Sequence, residues 1–174
     1  MKTDAHSLQL LDILDIPLNT TGPDFGFESE NRTILPGQWH LHGQANVKDV
    51  LKHAERPYYI LHNAWKYVTL DEMRVKAFEE RTTLQLIRVD NFTIRDTRSE
   101  TTDKHNWRGT VSPGGRILDL PITDPAFCER LTAGHEPSKS CLLTMSLSMP
   151  HKPQDWGADD PPAYWKLVAG VIEL

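Results

Sequence analysis

The chain has 174 residues, of which 39% are hydrophobic and 25% are charged, and it carries a formal net charge of −5 at pH 7. This length suffices for one ordinary domain or for two small ones that share an interface, and the composition excludes a disordered or fibrous chain. The negative charge argues against a protein that coats nucleic acid indiscriminately. The sequence contains no apolar run of roughly 20 residues and no secretory signal at its start, so we expect a cytoplasmic protein without membrane contact.

The first half of the chain, residues 1–81, is predicted to combine short strands with two helices. Residues 8–16 form an apolar run that stops at Pro17, and this stop favours a strand, although the spacing would also tolerate a helix. Further short strand pieces are predicted at residues 33–35 and 38–42.

The two helices are predicted later in this half. Between residues 45 and 55 the apolar side chains recur at helical spacing, and Pro57 follows the segment as a stop. Residues 70–80 begin with acidic side chains, which complement a helix dipole, and their charged composition indicates a surface element or a linker between two halves. The aromatic residues 58–65, between the helices, fit either a short strand or a packed loop.

From residue 82 onward the pattern predicts β structure. Residues 84–95 read as one long strand with a bend near Asp90 and Asn91, long enough to belong to both sheets of a barrel. After a polar turn at residues 99–104, the Ser-Pro-Gly-Gly sequence at 112–115 separates two short β segments and predicts a hairpin.

One helix and two strands close the chain. Thr123 or Asp124 can cap a helix that starts at Pro125 and ends before Gly134. The segments that follow, residues 140–148 and 164–174, are predicted strands.

The order of these elements is strand, strand, strand, helix, strand, strand, with a long and bent first strand. This is the connectivity of an OB fold, a five-stranded barrel with its helix between the third and fourth strands. The predicted fold class is mainly β with short helices (α+β). It places an OB-fold-like five-stranded barrel at residues 82–174 and an incomplete or divergent OB-like half at residues 1–81.

Six segments stand in a fixed order along the sequence. They are LDILDIP at 11–17, ENR at 30–32, LQLIRV at 84–89, LPITDP at 120–125, CLLTMSL at 141–147 and KLVAGVIE at 166–173. In this order and spacing they resemble the prokaryotic dual OB domain proteins, and the resemblance extends over nearly the whole chain.

The sequence departs from that family's pattern in two places. The family's opening stretch, with a basic motif and the early strands of the first barrel, is not found here, so we expect either a divergent short form or a first half whose missing strands come from another polypeptide. The loop at residues 149–162 is also longer than expected between the last two strands, and in an OB barrel this connection borders the ligand groove.

The resemblance implies a nucleic-acid-recognition module of the kind found in bacterial conflict and phage-defence neighbourhoods, with no established catalytic residues and no cofactor. It therefore implies a non-catalytic subunit of a defence or RNA-related complex that binds single-stranded or structured RNA or DNA. The alternative is a protein–protein adaptor or homo-oligomer in which a partner chain completes the first half, because natural proteins rarely leave strand edges bare.

The charge distribution indicates which segment would contact nucleic acid. Residues 81–120 contain 7 basic and 5 acidic side chains, whereas the segments before and after them are net acidic, which makes this segment a weak electrostatic footprint. OB surfaces bind single strands with basic residues along the backbone and aromatic residues that stack on bases. The candidates are Arg88, Arg95, Arg98, Lys104, Trp107, Arg108 and Arg116, together with Tyr164, Trp165 and Lys166 from the last strand.

Trp107 beside Arg108 on the predicted hairpin is the leading pair of this set. The alternative for Trp107 is that it packs on the core or on the neighbouring half of the chain. Trp165 has the same alternative, since every strand of a barrel has one inward face, and single arginines also occur as solvated residues of a strand face.

The histidines and cysteines do not form a recognised metal or catalytic pattern. His40 and His42 share one face of a strand without a third ligand, and Cys128 and Cys141 lack the close pairing of a zinc or redox motif. Both cysteines are therefore predicted to be reduced and buried, as small hydrophobic residues.

Overall fold

The computed structural model describes residues 8–25, 27–98 and 104–174. The predicted polar turn at 99–104 thus lies, apart from Lys104, outside the described residues. In the described ranges the strands are β1 (Asp12–Asp15), β2 (His40–Gln44), β3 (Tyr67–Thr69), β4 (Leu84–Val89), β5 (Thr93–Asp96), β6 (Trp107–Val111), β7 (Leu118–Pro121), β8 (Cys141–Leu147) and β9 (Ala163–Glu173). The α-helices are α1 (Val47–Leu51), α2 (Leu70–Arg74) and α3 (Pro125–Thr132).

The second half of the chain, together with β3 from the first half, forms an OB-like barrel of two curled sheets. The predicted long strand is present as β4 and β5, which the bend at Asp90 and Asn91 sends into different sheets. One sheet has the order β3-β9-β8-β4 and the other the order β5-β6-β7. A parallel bridge between Ile122 and Val168 joins the two sheets, so the predicted fold class is confirmed.

Helix α3 forms where its capping residues predict it. The Asp124 carboxylate accepts a hydrogen bond from Phe127 N at 3.0 Å, and Pro125 occupies the first turn. The chain leaves the helix at Gly134, whose φ of 89° suits a residue without a side chain. Phe127 and Leu131 are buried in the core, which fixes the helix against the barrel.

The middle of the core is β8, which pairs with β4 on one side and with β9 on the other. Cys141, Leu143 and Met145 of this strand have no exposed surface. Burial raises the pKa of the Cys141 thiol to about 11, so this cysteine remains an unreactive thiol at neutral pH. Both cysteines are free, but Cys128 is only half-buried, and the prediction that both are buried is correct for Cys141 alone.

The first half contributes a separate two-stranded sheet, β1 paired with β2. The predicted strand at residues 8–16 is confirmed in its second half, and the helix predicted between 45 and 55 is shorter, with the Asn46 side chain as its cap. None of the residues of these two strands is buried.

The helix predicted at residues 70–80 is wrong in extent. It consists of α2 alone, which starts in a capping box of Thr69 and Glu72, and a 3-10 turn follows at Phe78–Glu80. Met73 is the buried residue of α2, while Val75 is 85% exposed. The apolar stripe that would hold a longer helix against the core therefore ends after one turn.

Several contacts bind the first half to the barrel. The Glu30 carboxylate accepts hydrogen bonds from Thr83 Oγ1 at 2.7 Å and from Leu84 N at 2.9 Å, at the start of β4. The Phe27 ring packs on Tyr164 with centroids 4.1 Å apart. These contacts tie the segment around residues 27–30 to the start of β4 and to the closing strand of the barrel.

Candidate nucleic-acid interface

Three aromatic rings meet where β3, β9 and the loop at 148–162 come together. Tyr67 lies on β3, and its ring centroid is 5.1 Å from that of Trp165 on β9 and 5.1 Å from that of Trp156 in the loop. The two tryptophans are 5.6 Å apart. The pairing of β3 with the first residues of β9 sets Tyr67 opposite Trp165, so the backbone register itself assembles the cluster.

A fourth ring extends the cluster towards the hairpin of β6 and β7. The guanidinium carbon of Arg116 lies 3.9 Å from the centroid of Trp65, a stacked cation–π contact. Trp65 is 53% exposed. Trp65, Tyr67, Arg116 and Trp165 line a groove of about 300 Å³, and we refer to these four residues as the aromatic groove.

The turn that presents Trp65 has a strained backbone. Leu61 and His62 both have positive φ, 42° and 82°, a conformation that is uncommon for residues with a side chain. Two contacts hold the turn: Leu61 N donates to the Gln85 side chain at 2.9 Å, and a ring nitrogen of His62 lies 2.6 Å from the carbonyl oxygen of Thr82. Strain of this kind persists where the surroundings fix it, often at binding sites.

The Asn63 side chain holds the same turn in place through hydrogen bonds. Its side-chain oxygen accepts from Trp65 N at 3.0 Å, and its side-chain nitrogen donates to the carbonyl oxygen of Tyr67 at 3.0 Å and to Glu72 at 2.9 Å. The Lys166 ammonium donates to the backbone oxygen of Asn63 at 2.7 Å and to its side-chain oxygen at 2.9 Å. Lys166 is thus linked to the backbone of Trp65 through one amide side chain.

The position of Lys166 corrects its predicted role as a surface contact. The side chain has no exposed area, and burial lowers its pKa to about 8, against the opposing effect of the Glu72 carboxylate. Adjacent residues of a strand point to opposite faces, so the half-exposed Trp165 and the buried Lys166 cannot serve the same surface. Tyr164 is likewise buried, at 3% exposure.

Two further predicted residues, Arg95 and Arg108, come together on the outer face of β5 and β6. They are paired across the strands, and both contact Asp119, at 2.9 Å from Arg95 and 2.5 Å from Arg108. These contacts lower the pKa of the Asp119 carboxyl, although its burial acts in the other direction. One carboxylate therefore neutralises much of the positive charge on this face.

Trp107 does not share that face with Arg108. Its indole nitrogen donates to Thr132 Oγ1 of α3 at 3.2 Å, and its ring is parallel to that of His105, with centroids 5.4 Å apart. It also packs against the core, so the alternative interpretation of Trp107 fits the structure better than a pair with Arg108.

The family model for the dual OB-containing domain matches residues 1–171, and the barrel has the strand and helix order of an OB fold. The chain belongs to the dual OB-containing domain family. Comparison with the curated proteins and with the solved structures finds no match. OB domains generally bind nucleic acids.

The remaining predicted residues of this dual OB-containing domain lie apart from the aromatic groove. Arg88 faces a second cleft beside Arg56, and Lys104 is exposed next to the undescribed residues 99–103. Arg98 is 3.5 Å from the carboxylate of Asp96. Arg116 is therefore the predicted basic residue that the structure places in the groove.

The sequence prediction missed Trp65 and Tyr67 of the aromatic groove and the neighbouring Trp156. The density of aromatic residues at 58–67 is a usable signal, but contacts with Arg116 and Trp165 depend on long-range pairing that periodicity does not reveal.

Within the described ranges, no cluster of three or more His, Cys, Asp or Glu residues is suited to hold a metal ion. In the same ranges, none of the helices has the length and apolar character needed to span a membrane.

Proposed function

We propose that this dual OB-containing domain is a non-catalytic nucleic-acid-binding subunit that holds single-stranded segments of RNA or DNA in the aromatic groove. The observation that carries the proposal is the exposed Trp65 ring stacked on Arg116, beside Tyr67 and Trp165. The groove borders the start of β7 and the loop at 148–162, which correspond to OB elements that contact oligonucleotides in other proteins.

Stacking is the dominant interaction expected at this site. Every base has a π face, so an aromatic side chain accepts any unpaired base, with about 1–3 kcal/mol per stacked base. The guanidinium plane of Arg116 offers a second surface of the same kind and can also contact phosphate. Bases within a duplex are already stacked and paired, so the groove favours single strands.

The overall charge of the protein is consistent with such a mode of binding. With a net charge of −5, the whole surface attracts nucleic acid poorly, and affinity has to come from local contacts. We expect the affinity to depend weakly on salt, because the slope reflects the number of neutralised phosphates, about −0.7 for each contact on a single strand.

The first prediction concerns the groove itself. Trp65→Ala and Arg116→Ala are each expected to weaken binding of a fluorescently labelled single strand about 5- to 150-fold, the equivalent of one lost stack. Fluorescence anisotropy measures the affinity, and quenching of tryptophan emission reports stacking. The same titrations with the variant Trp107→Ala plus Arg108→Ala test the surface predicted from the sequence.

Phe78→Ala serves as the matched control. Phe78 is also an exposed aromatic residue with an arginine near its ring, Arg81 at 5.8 Å, but it lies outside the groove. Its variant should bind like the wild type. Equal losses in the Phe78 and Trp65 variants, or no binding of any oligonucleotide at low salt, would contradict the proposed function.

A second candidate function is that of an adaptor in a larger assembly, and the β1–β2 sheet favours it. Ile13 and Leu41 of this sheet are 44% and 49% exposed, and the nearby Leu18 and Ile34 are 49% and 53% exposed. Among the described residues these strands pair only with each other. A partner chain that covers this sheet would bury these apolar side chains and pair with the strand edges.

Both functions can coexist in a prokaryotic defence or RNA-related complex, which the resemblance to defence-associated dual OB proteins supports. The partner would then contact the β1–β2 sheet while the nucleic acid occupies the aromatic groove. Concentration-dependent sedimentation of the purified chain tests self-association through the sheet, and Ile13→Lys should abolish it. A monomer at all concentrations would exclude a second copy of the chain as the partner.

A further inference from the structure

A second cleft lies beside the hairpin tip, next to the aromatic groove. It has a volume of about 260 Å³, and its lining includes Arg56, Arg88 and Asp90 together with the turn at 112–114. The same turn leads two residues later to Arg116 of the aromatic groove. Three residues of chain span at most about 10 Å, and Pro113–Gly115 form a tighter 3-10 turn, so the two concavities are neighbours on either part of one turn.

The backbone fixes the two arginines of this cleft side by side. Glu55 pairs in parallel with β4: Glu55 N donates to Leu86 O at 2.9 Å, and Arg88 N donates to Glu55 O at 2.8 Å. This pairing sets Arg56 next to Arg88 on the edge of the barrel. The cleft is therefore part of the framework and does not depend on a flexible loop to assemble it.

The charge balance of the cleft is positive. A terminal nitrogen of Arg56 lies 2.7 Å from Asp90, and Arg88 Nε lies 3.3 Å from the other oxygen of the same carboxylate. Two guanidinium groups thus share one carboxylate, and each has five N–H donors. Their side chains are 60% and 39% exposed, so both remain accessible to a ligand anion.

Between the two concavities the surface consists of a glycine and an aromatic side chain. Gly114 lies against Tyr58, so closely that a β-carbon on Gly114 would lie 2.8 Å from the Tyr58 carbonyl oxygen. Tyr58 itself is 67% exposed. The tip therefore presents a flat aromatic side chain and a residue without a side chain, over which an extended strand can pass.

We propose that the cleft of Arg56 and Arg88 is a phosphate subsite for the same single strand that stacks in the aromatic groove. This inference rests on the proposed function and names its ligand class: an unpaired strand that crosses the hairpin tip, with bases on Trp65 and Tyr58 and a backbone phosphate between the two guanidiniums. Arginine pairs bind phosphate oxygens through parallel N–H donors. A free phosphate or nucleotide has the same chemistry, and the strand is favoured because the two concavities are adjacent.

The length dependence of binding tests the subsite. Labelled oligonucleotides from about 3 to about 12 nucleotides bracket the lower range of OB site sizes. In the wild type, affinity should rise with length until the strand reaches both concavities. Arg56→Gln plus Arg88→Gln should remove this gain and leave the affinity of the shortest strand unchanged, with a salt slope reduced by about 0.7 for the one phosphate that the two arginines share. Lys48→Gln plus Lys52→Gln, in α1 and at its C-cap, removes the same charge elsewhere and should have no such effect.

Asp90→Asn should change the affinity for long strands in the opposite direction. It removes the carboxylate that neutralises the two arginines, so long strands should bind several-fold more tightly and short strands as before. Inorganic phosphate as a competitor distinguishes the two sources of the anion: it should reduce the affinity of long strands to that of short ones.

The inference and the proposed function can fail separately. If the Trp65 variant loses affinity at all lengths while the arginine variant matches the wild type at all lengths, the groove binds nucleic acid and the subsite is refuted. An equal loss at all lengths in the arginine variant, or no change in Asp90→Asn, also overturns the subsite. If phosphate binds but does not compete with long strands, the cleft is an independent anion site and the continuous path is wrong.

Discussion

Lys166 lies where the strained turn meets the barrel, and its environment affects both binding and stability. Its ammonium group bonds to Asn63, which in turn accepts from the backbone of Trp65. Lys166→Met preserves most of the buried volume but removes both hydrogen bonds, so the turn should lose its orientation. We expect a loss of oligonucleotide affinity of about 5-fold, the value of one net hydrogen bond, without any change in a residue that touches the ligand.

The pH dependence of the unfolding free energy also reports on the Lys166 ammonium group. Burial lowers the pKa of Lys166 to about 8, whereas an unfolded lysine titrates near 10.4. Between these values the unfolded chain binds more protons at this residue than the folded protein, so its contribution to the unfolding free energy rises with pH. The buried Cys141 thiol, with its pKa raised to about 11, contributes in the opposite direction over an overlapping range.

Comparison of the wild type with Lys166→Met isolates the lysine, because both proteins contain Cys141. The difference in unfolding free energy, wild type minus variant, should increase between about pH 8 and pH 10.4, the folded and unfolded pKa values. Urea denaturation followed by circular dichroism at a series of pH values measures it. A difference that stays constant over this range would show that Lys166 is not perturbed.

At the level of the elements, the hairpin tip between β6 and β7 depends on two glycines with different constraints. Gly114 has φ of 53° and no room for a β-carbon beside Tyr58, whereas Gly115 has φ of 78° and open space around it. Gly115→Ala should therefore lower the unfolding free energy by about 1 kcal/mol, the backbone cost alone. Gly114→Ala adds a steric conflict and should cost more.

Thermal denaturation of the two alanine variants measures this difference. Gly114→Ala should also weaken the binding of long oligonucleotides, because Tyr58 has to move from the path between the two concavities. Similar losses of stability in both variants would mean that the tip relaxes freely and does not hold Tyr58 in place.

The elements also show how far the sequence predicts this fold. The bend between β4 and β5 and the capped helix α3 follow from local signals, alternation in the first case and Asp124 with Pro125 in the second. Strand β3 has no such local signal, since its three residues become a strand only by pairing with the start of β9. The same applies to the site: Arg116 was predicted from local charge, but its partner Trp65 depends on tertiary packing.

At the scale of the whole molecule, the barrel and the first half differ mainly in how many buried residues they contribute. The core consists of barrel residues with a few from the linking segments, such as Phe27 and Ile60. The β1–β2 sheet contributes no buried residue. Since most stability comes from buried apolar surface, the two parts should differ in their resistance to local opening.

Amide hydrogen exchange of the isolated chain tests this asymmetry. The amides of β8, which pairs on both sides, should exchange slowest, with protection close to the global unfolding free energy, while those of β1 and β2 should exchange through local opening at much lower free energy. If a partner chain covers the sheet, its addition should slow exchange in β1 and β2 and leave β8 unchanged. Slow exchange over Asp12–Asp15 in a monomer would mean instead that the first half is stable by itself, which would remove the physical argument for a partner.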